Sequence, residues 1–209
     1  RVNAKLLVVS AGAIASSNLL HKSMIGGEKV GKGLAVHPAP FVMGHFEGEI
    51  RGNQGIPMSY TCHEFGVTNG IKKGGFLIES IFLPIFQMAI AIPTFGADHF
   101  RMMKQFNNYT MAGIMVRDEP VGEVSMSYGG SPKVRYELSA QTINDMARGM
   151  GILARMWFDV GATSVITSHR DVPEIRTRAD IPKLKDAVRN SPDGLMLGSA
   201  HPQGGNKMG

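Results

Sequence analysis

Between residues 122 and 160 the hydrophobic pattern changes period, and this change constrains the fold more than any other feature of the chain. In GEVSMSY, Val124, Met126 and Tyr128 alternate with Glu123, Ser125 and Ser127. After the turn Gly129-Gly130-Ser131-Pro132, Val134, Tyr136 and Leu138 alternate with Arg135 and Glu137. Period two on both sides of a glycine–proline turn predicts an antiparallel hairpin with one buried and one wet face. Ser139 then reads as an N-cap. Beyond it Ile143, Met146, Met150, Leu153, Trp157 and Val160 recur every three or four residues. That spacing predicts one long helix with a single apolar stripe, ended by Gly161. Antiparallel strands backed by a helix define an α+β arrangement.

The start of the chain differs in kind. Leu6–Val9 is a short apolar run, and SAGAIASSNLL follows with a glycine turn and helix-compatible spacing. Strand, small-residue turn and helix make half of a βαβ unit, whose strand needs partners on both sides. After the glycine-rich 26–33, Pro38 and Pro40 prevent a helix and favour extended chain. Further strands are expected around Met58–Cys62, Tyr109–Val116 and Thr163–Thr167, with a short helix over Ile181–Val188.

Composition narrows the partners. The net charge of +5 is spread without a dense basic stripe, which argues against nucleic acid. Cys62 is the one cysteine, so no internal disulfide or multi-cysteine metal site can form. None of the seven histidines has metal-ligand spacing on a helix. Residues 76–96 are the most apolar stretch, but Glu79, Pro84, Gln87 and Pro93 interrupt them and exclude a spanning helix. They suit a core segment or the wall of an apolar cavity, with contact at a membrane surface as the alternative.

The segment SAHPQGGNKMG places His201 before Pro202, which steers it away from the α region, and before Gly204 and Gly205, which permit a tight turn. Local context leaves two readings: a positioned base, or a histidine that satisfies a buried carbonyl.

Three elements in order carry a resemblance. Ala11-Gly12-Ala13-Ile14-Ala15-Ser16-Ser17-Asn18-Leu19-Leu20 comes first, then Val30-Gly31-Lys32-Gly33-Leu34-Ala35-Val36-His37-Pro38, and finally His201-Pro202-Gln203-Gly204-Gly205-Asn206-Lys207-Met208-Gly209. Together they resemble the glucose–methanol–choline family of flavin oxidoreductases. Departures are Ser17 where the family commonly has proline, Gly33 for asparagine, and Asn206 for cysteine or threonine.

The resemblance implies a two-domain flavoprotein of which this chain is a portion. Residues 1–38 would belong to the FAD-binding domain, 39–194 to an antiparallel-sheet substrate domain backed by helices, and 195–209 to a segment returning to the active site. It implies FAD as cofactor, seated by Ala11, Gly12, Ala13, His37, Pro202 and Gly204, and His201 as the catalytic base. The substrate would be an alcohol, sugar or sterol, with oxygen or another electron acceptor, as in the long-chain alcohol oxidase, sugar dehydrogenase or sterol oxidase branches. The family's nucleotide-binding glycine motif and its second active-site residue are expected outside these 209 residues, and the portion alone is expected to be inactive. A non-enzymatic binding module and an inactive family member are the alternatives.

Overall fold

The computed structural model describes residues 3–66, 74–81 and 83–207. Met208 and Gly209, which close the third element, lie outside them. The described chain is α+β, and it divides into two compact units.

Unit 2 comprises Pro38–Arg117 and Ser139–Gly198. Its centre is a six-stranded sheet of β2 (Phe41–His45), β3 (Thr61–Cys62), β4 (Phe76–Ile81), β5 (Tyr109–Val116), β8 (Ser164–Thr167) and β9 (Glu174–Ile175). The order is β3-β4-β5-β2-β8-β9, antiparallel throughout. Successive side chains point to opposite faces, and both faces are covered. On one, α4 (Ala140–Asp159) lays Met146, Met150 and Leu153 on the sheet, all buried. The Ser139 hydroxyl caps α4 by accepting from Thr142 N at 3.1 Å, and Gly161 follows at φ +97°. Trp157 Nε1 donates to Val42 O at 3.1 Å, tying the last turn of α4 to β2. On the other face Met43, Tyr109, Met111 and Ile166 pack with Leu83, Met88, Ala91 and Ile92.

The apolar stretch 76–96 forms core in part: Phe76, Ile78, Leu83, Met88, Ala91 and Ile92 are buried, whereas Ile85, Phe86, Ile90 and Phe95 are exposed. Pro84 starts α2 (Ile85–Ala91), which is followed by α3 (Gly96–Lys104). No helix among the described residues is long and apolar enough to cross a membrane. Further along, α5 (Ile181–Asn190) packs on α4 through buried Leu184 and Val188.

Unit 1 gathers Arg1–His37, Asp118–Leu138 and Ser199–Gly209. It contains α1 (Gly12–Lys22) and a three-stranded sheet in the order β1 (Lys32–Leu34), β6 (Gly122–Met126), β7 (Pro132–Arg135). The expected hairpin forms with Val124 opposite Val134. It pairs with β1, however, and not with the sheet that α4 backs, so 118–138 departs from the contiguous 39–194 division. Its apolar face is also barer than alternation alone suggests: Val124 is buried, but Met126, Tyr128 and Val134 are exposed. Three strands and one helix make too small a layer to cover them. Leu6–Val9 joins no sheet, and Leu6, Leu7 and Val8 are each at least 75% exposed. A two-faced apolar strand needs neighbours that the described residues do not provide.

Gly149 marks a close approach of α4 to the sheet, where a Cβ would lie 2.8 Å from Ile114 Cγ2 and 3.2 Å from Phe76 Cε2. Gly149→Leu should overpack this contact and cost about 1–3 kcal/mol, read as a lower urea midpoint with an unchanged denaturant slope.

Candidate functional site

The three sequence elements converge within unit 1. Residues 203–206 run antiparallel beside 30–35: Gln203 and Ala35 exchange backbone hydrogen bonds at 2.8 and 2.9 Å, Asn206 bridges to Val30, and Gly31 N donates to Gly205 O. Such a close approach leaves no room for side chains. A Cβ on Gly204, at φ +80°, would stand 2.1 Å from Gly33 O, and one on Gly205, at φ +83°, would stand 2.7 Å from Ser17 Oγ. Only glycine meets both demands.

The departures from the family pattern lie along this same segment. Ser17 Oγ is 2.7 Å from Ala13 O, 3.2 Å from Gly205 O and 3.3 Å from Asn206 Oδ1. Gly33 has φ +75°, a left-handed conformation that asparagine also tolerates. A Cβ there would fall 2.4 Å from Lys207 Cε. Each substitution thus meets the return segment.

His201 is exposed, and among the described residues its ring has no hydrogen-bond partner. It does not serve a buried carbonyl. The half-buried ring of His37 faces it edge-on, with centroids 6.4 Å apart and planes at 73°. His37 adopts φ +49°, a left-handed conformation unusual for a residue that is not glycine. Asp118 holds it there. The Asp118 carboxylate accepts from Val36 N at 2.8 Å, His37 N at 3.2 Å and the Tyr136 hydroxyl at 2.6 Å. Ser199 Oγ closes the turn by donating to Val36 O.

Asp118 and Tyr136 are supports that periodicity does not single out. Tyr136 falls on the apolar register of the hairpin, and Asp118 lies in the loop Arg117-Asp118-Glu119-Pro120. An acidic residue directly before an acid–proline pair, at a strand entry, was the available signal.

Ala11, Gly12 and Ala13 lie apart from the two histidines in sequence, at the start of α1. No side chain caps that helix, and the space beside Gly12 is open for 4 Å around a Cβ position. Ala11 N instead donates to Ser16 Oγ at 3.0 Å. Pro202 and Gly204 sit in the return segment next to His201. Among the described residues no group of three or more His, Cys, Asp or Glu could hold a metal ion.

Comparison with known proteins supplies the family. The chain is 32% identical over 205 residues to two Mycobacterium tuberculosis proteins, from strains CDC 1551 and H37Rv, each named an uncharacterised GMC-type oxidoreductase. Those alignments cover 97% of this chain and 31% of each relative. It is also 24% identical over 213 residues to a long-chain-alcohol oxidase of Arabidopsis thaliana, covering 96% of this chain and 27% of that protein. No protein-family model matches. The chain belongs to the GMC-type oxidoreductases and spans about a third of the length of the curated relatives it matches.

Burial first, and then the hydrogen bond from Tyr136 to Asp118, push the Tyr136 hydroxyl well above its usual value of 10.0. An unfolded chain loses that proton before the native one, so the associated stability is lost as pH rises above 10. Asp118→Asn removes one cause of the shift. It should bring tyrosinate absorbance in the near ultraviolet to lower pH and cost about 1–3 kcal/mol at neutral pH by weakening the His37 turn.

Proposed function

We propose that this chain contributes the active-site histidine and part of the cofactor seat of an FAD-dependent oxidoreductase that oxidises the CH–OH group of an alcohol. The observation that carries the reading is His201: exposed, with no hydrogen-bond partner among the described residues, beside His37, on a backbone segment locked by glycines. A ring nitrogen of His201 takes the hydroxyl proton of the substrate, which raises the electron density on the carbinol carbon from which hydride leaves. FAD, when bound, supplies the hydride acceptor.

Other residues hold and orient. Ala11, Gly12 and Ala13 would seat the dinucleotide part of FAD against the uncapped first turn of α1, where backbone N–H groups point outward. Pro202 and Gly204 would fix the backbone that follows His201, and His37 would pack beside the ring system. The open space at Gly12 and the exposed apolar residues Leu6, Leu7 and Val8 both fit residues that meet a cofactor or further chain.

Among substrates, a long-chain alcohol is favoured over a sugar or sterol, because the relative with a named substrate is a long-chain-alcohol oxidase. Oxygen is the proposed electron acceptor on the same ground.

The test uses the full-length protein with its flavin. His201→Ala should lower turnover of a long-chain primary alcohol by about a hundredfold or more while leaving flavin absorbance intact, and His37→Ala should retain most of the turnover. Near-normal turnover in His201→Ala would remove it from the base role. Purified full-length protein without flavin absorbance would reject the cofactor. Peroxide formed in step with product marks oxygen as acceptor.

A further inference from the structure

Unit 2 has a cleft of about 430 Å³ between α4 and α5 that the proposed redox chemistry does not use. Arg148 and Arg155 of α4 line it, with Lys185 of α5 and Arg178 from the single turn Arg178–Asp180 before α5. Among the described residues no acidic side chain lines it.

The cations stand in a row. Arg148 and Arg155 are seven residues apart, so they share a face of α4 about 10 Å apart along its axis. Gly151 lies between them, and a Cβ there would stand 2.9 Å from Lys185 Cδ and 3.1 Å from its Cγ. A bare residue, unfavourable inside a helix, thus lets the half-buried stem of Lys185 lie across α4 between the two arginines. The Arg148 guanidinium stands over the rings of Phe76 and Phe65, at 5.6 and 5.8 Å from their centroids, which holds that end of the row.

Every carboxylate near this row in sequence is engaged elsewhere. Asp159, one turn beyond Arg155, pairs with Arg178 at 2.5 Å. Asp145, one turn before Arg148, is buried and accepts from Gly75 N and Gln141 Nε2, each at 3.0 Å. Asp186 lies 3.4 Å from Arg189, and Asp180 accepts from Thr177 N at 3.1 Å. Arg148, Arg155 and Lys185 are left without an ion pair among the described residues. Like charges so arranged repel, and a concave surface of one sign concentrates counter-ions. Guanidinium groups bind phosphate bidentately, and an ammonium adds a point charge. A row of this length exceeds one phosphate and selects linked groups. We propose that the cleft binds an anion carrying two or more phosphate groups, with Arg155 and Lys185 at the centre of the contact and Arg148 at one end. A soluble oligophosphate and the headgroup of a multiply phosphorylated lipid share this chemistry. Two helices assemble the row, so no basic run in the sequence announces it.

Calorimetric titration of the full-length protein with inorganic triphosphate, against sulfate at matched ionic strength, tests the soluble source. Flotation with phosphatidylcholine vesicles, with and without phosphatidylinositol bisphosphate, tests the lipid. Either triphosphate should saturate with a Kd below about 1 mM and about tenfold or more tighter than sulfate, or the phosphorylated vesicles alone should capture the protein; the probe that responds identifies the source. Arg155→Gln and Lys185→Gln should each weaken the responding probe about fivefold or more with an unchanged thermal midpoint. Lys183→Gln, which removes the same charge from an exposed position of α5 outside the cleft, should leave binding as it was. The proposal is overturned if neither probe binds, since salt ions alone then screen the row, or if sulfate matches triphosphate and plain vesicles match phosphorylated ones. It is equally overturned if Lys183→Gln weakens binding as much as Arg155→Gln, which is a response to net charge and not to a site.

Discussion

The backbone-to-backbone approach of Gly204 on Gly33 is the constraint from which unit 1 takes its form. A single methyl group at Gly204 would meet a carbonyl oxygen at 2.1 Å. With both positions bare, the return segment can lie flat on 30–36 and exchange main-chain hydrogen bonds with Ala35. Residues about 170 apart in sequence thereby become neighbours, and His201 emerges next to His37. Covalent order gives no hint of that pairing; steric permission creates it.

The second support is electrostatic. One carboxylate, Asp118, gathers two successive backbone N–H groups and a phenol, and so stabilises a histidine backbone that would otherwise be unfavourable. Strain of this kind persists only where the surroundings impose it. The hairpin that delivers Tyr136 thus has a role beyond pairing strands: it fastens the turn on which one of the two rings is displayed.

Periodicity made much of unit 2 legible. Tyr109–Val116 was readable as a strand and residues 139–160 as a capped helix with a glycine stop, because local patterns and tertiary packing ask for the same thing there. The hairpin was legible in pairing but not in placement. Alternation says which side chains share a face and nothing about which sheet receives them, so β6 turning to β1 could not be read from spacing. At the site, the glycines and the proline around His201 were informative because they limit backbone geometry directly. Asp118 was not, because a carboxylate that binds main-chain donors looks in sequence like any acid in a loop.

Ser17 and Asn206 depart from the family pattern at positions that touch, 3.3 Å apart. Ser17 also stands at the sixth residue of α1, where a proline would lack the backbone N–H that the helix requires there. Residues in contact seldom vary independently in their energetic effect. Restoring the commoner residue at either position removes this contact, so the energetic effects of the two changes are expected to be coupled.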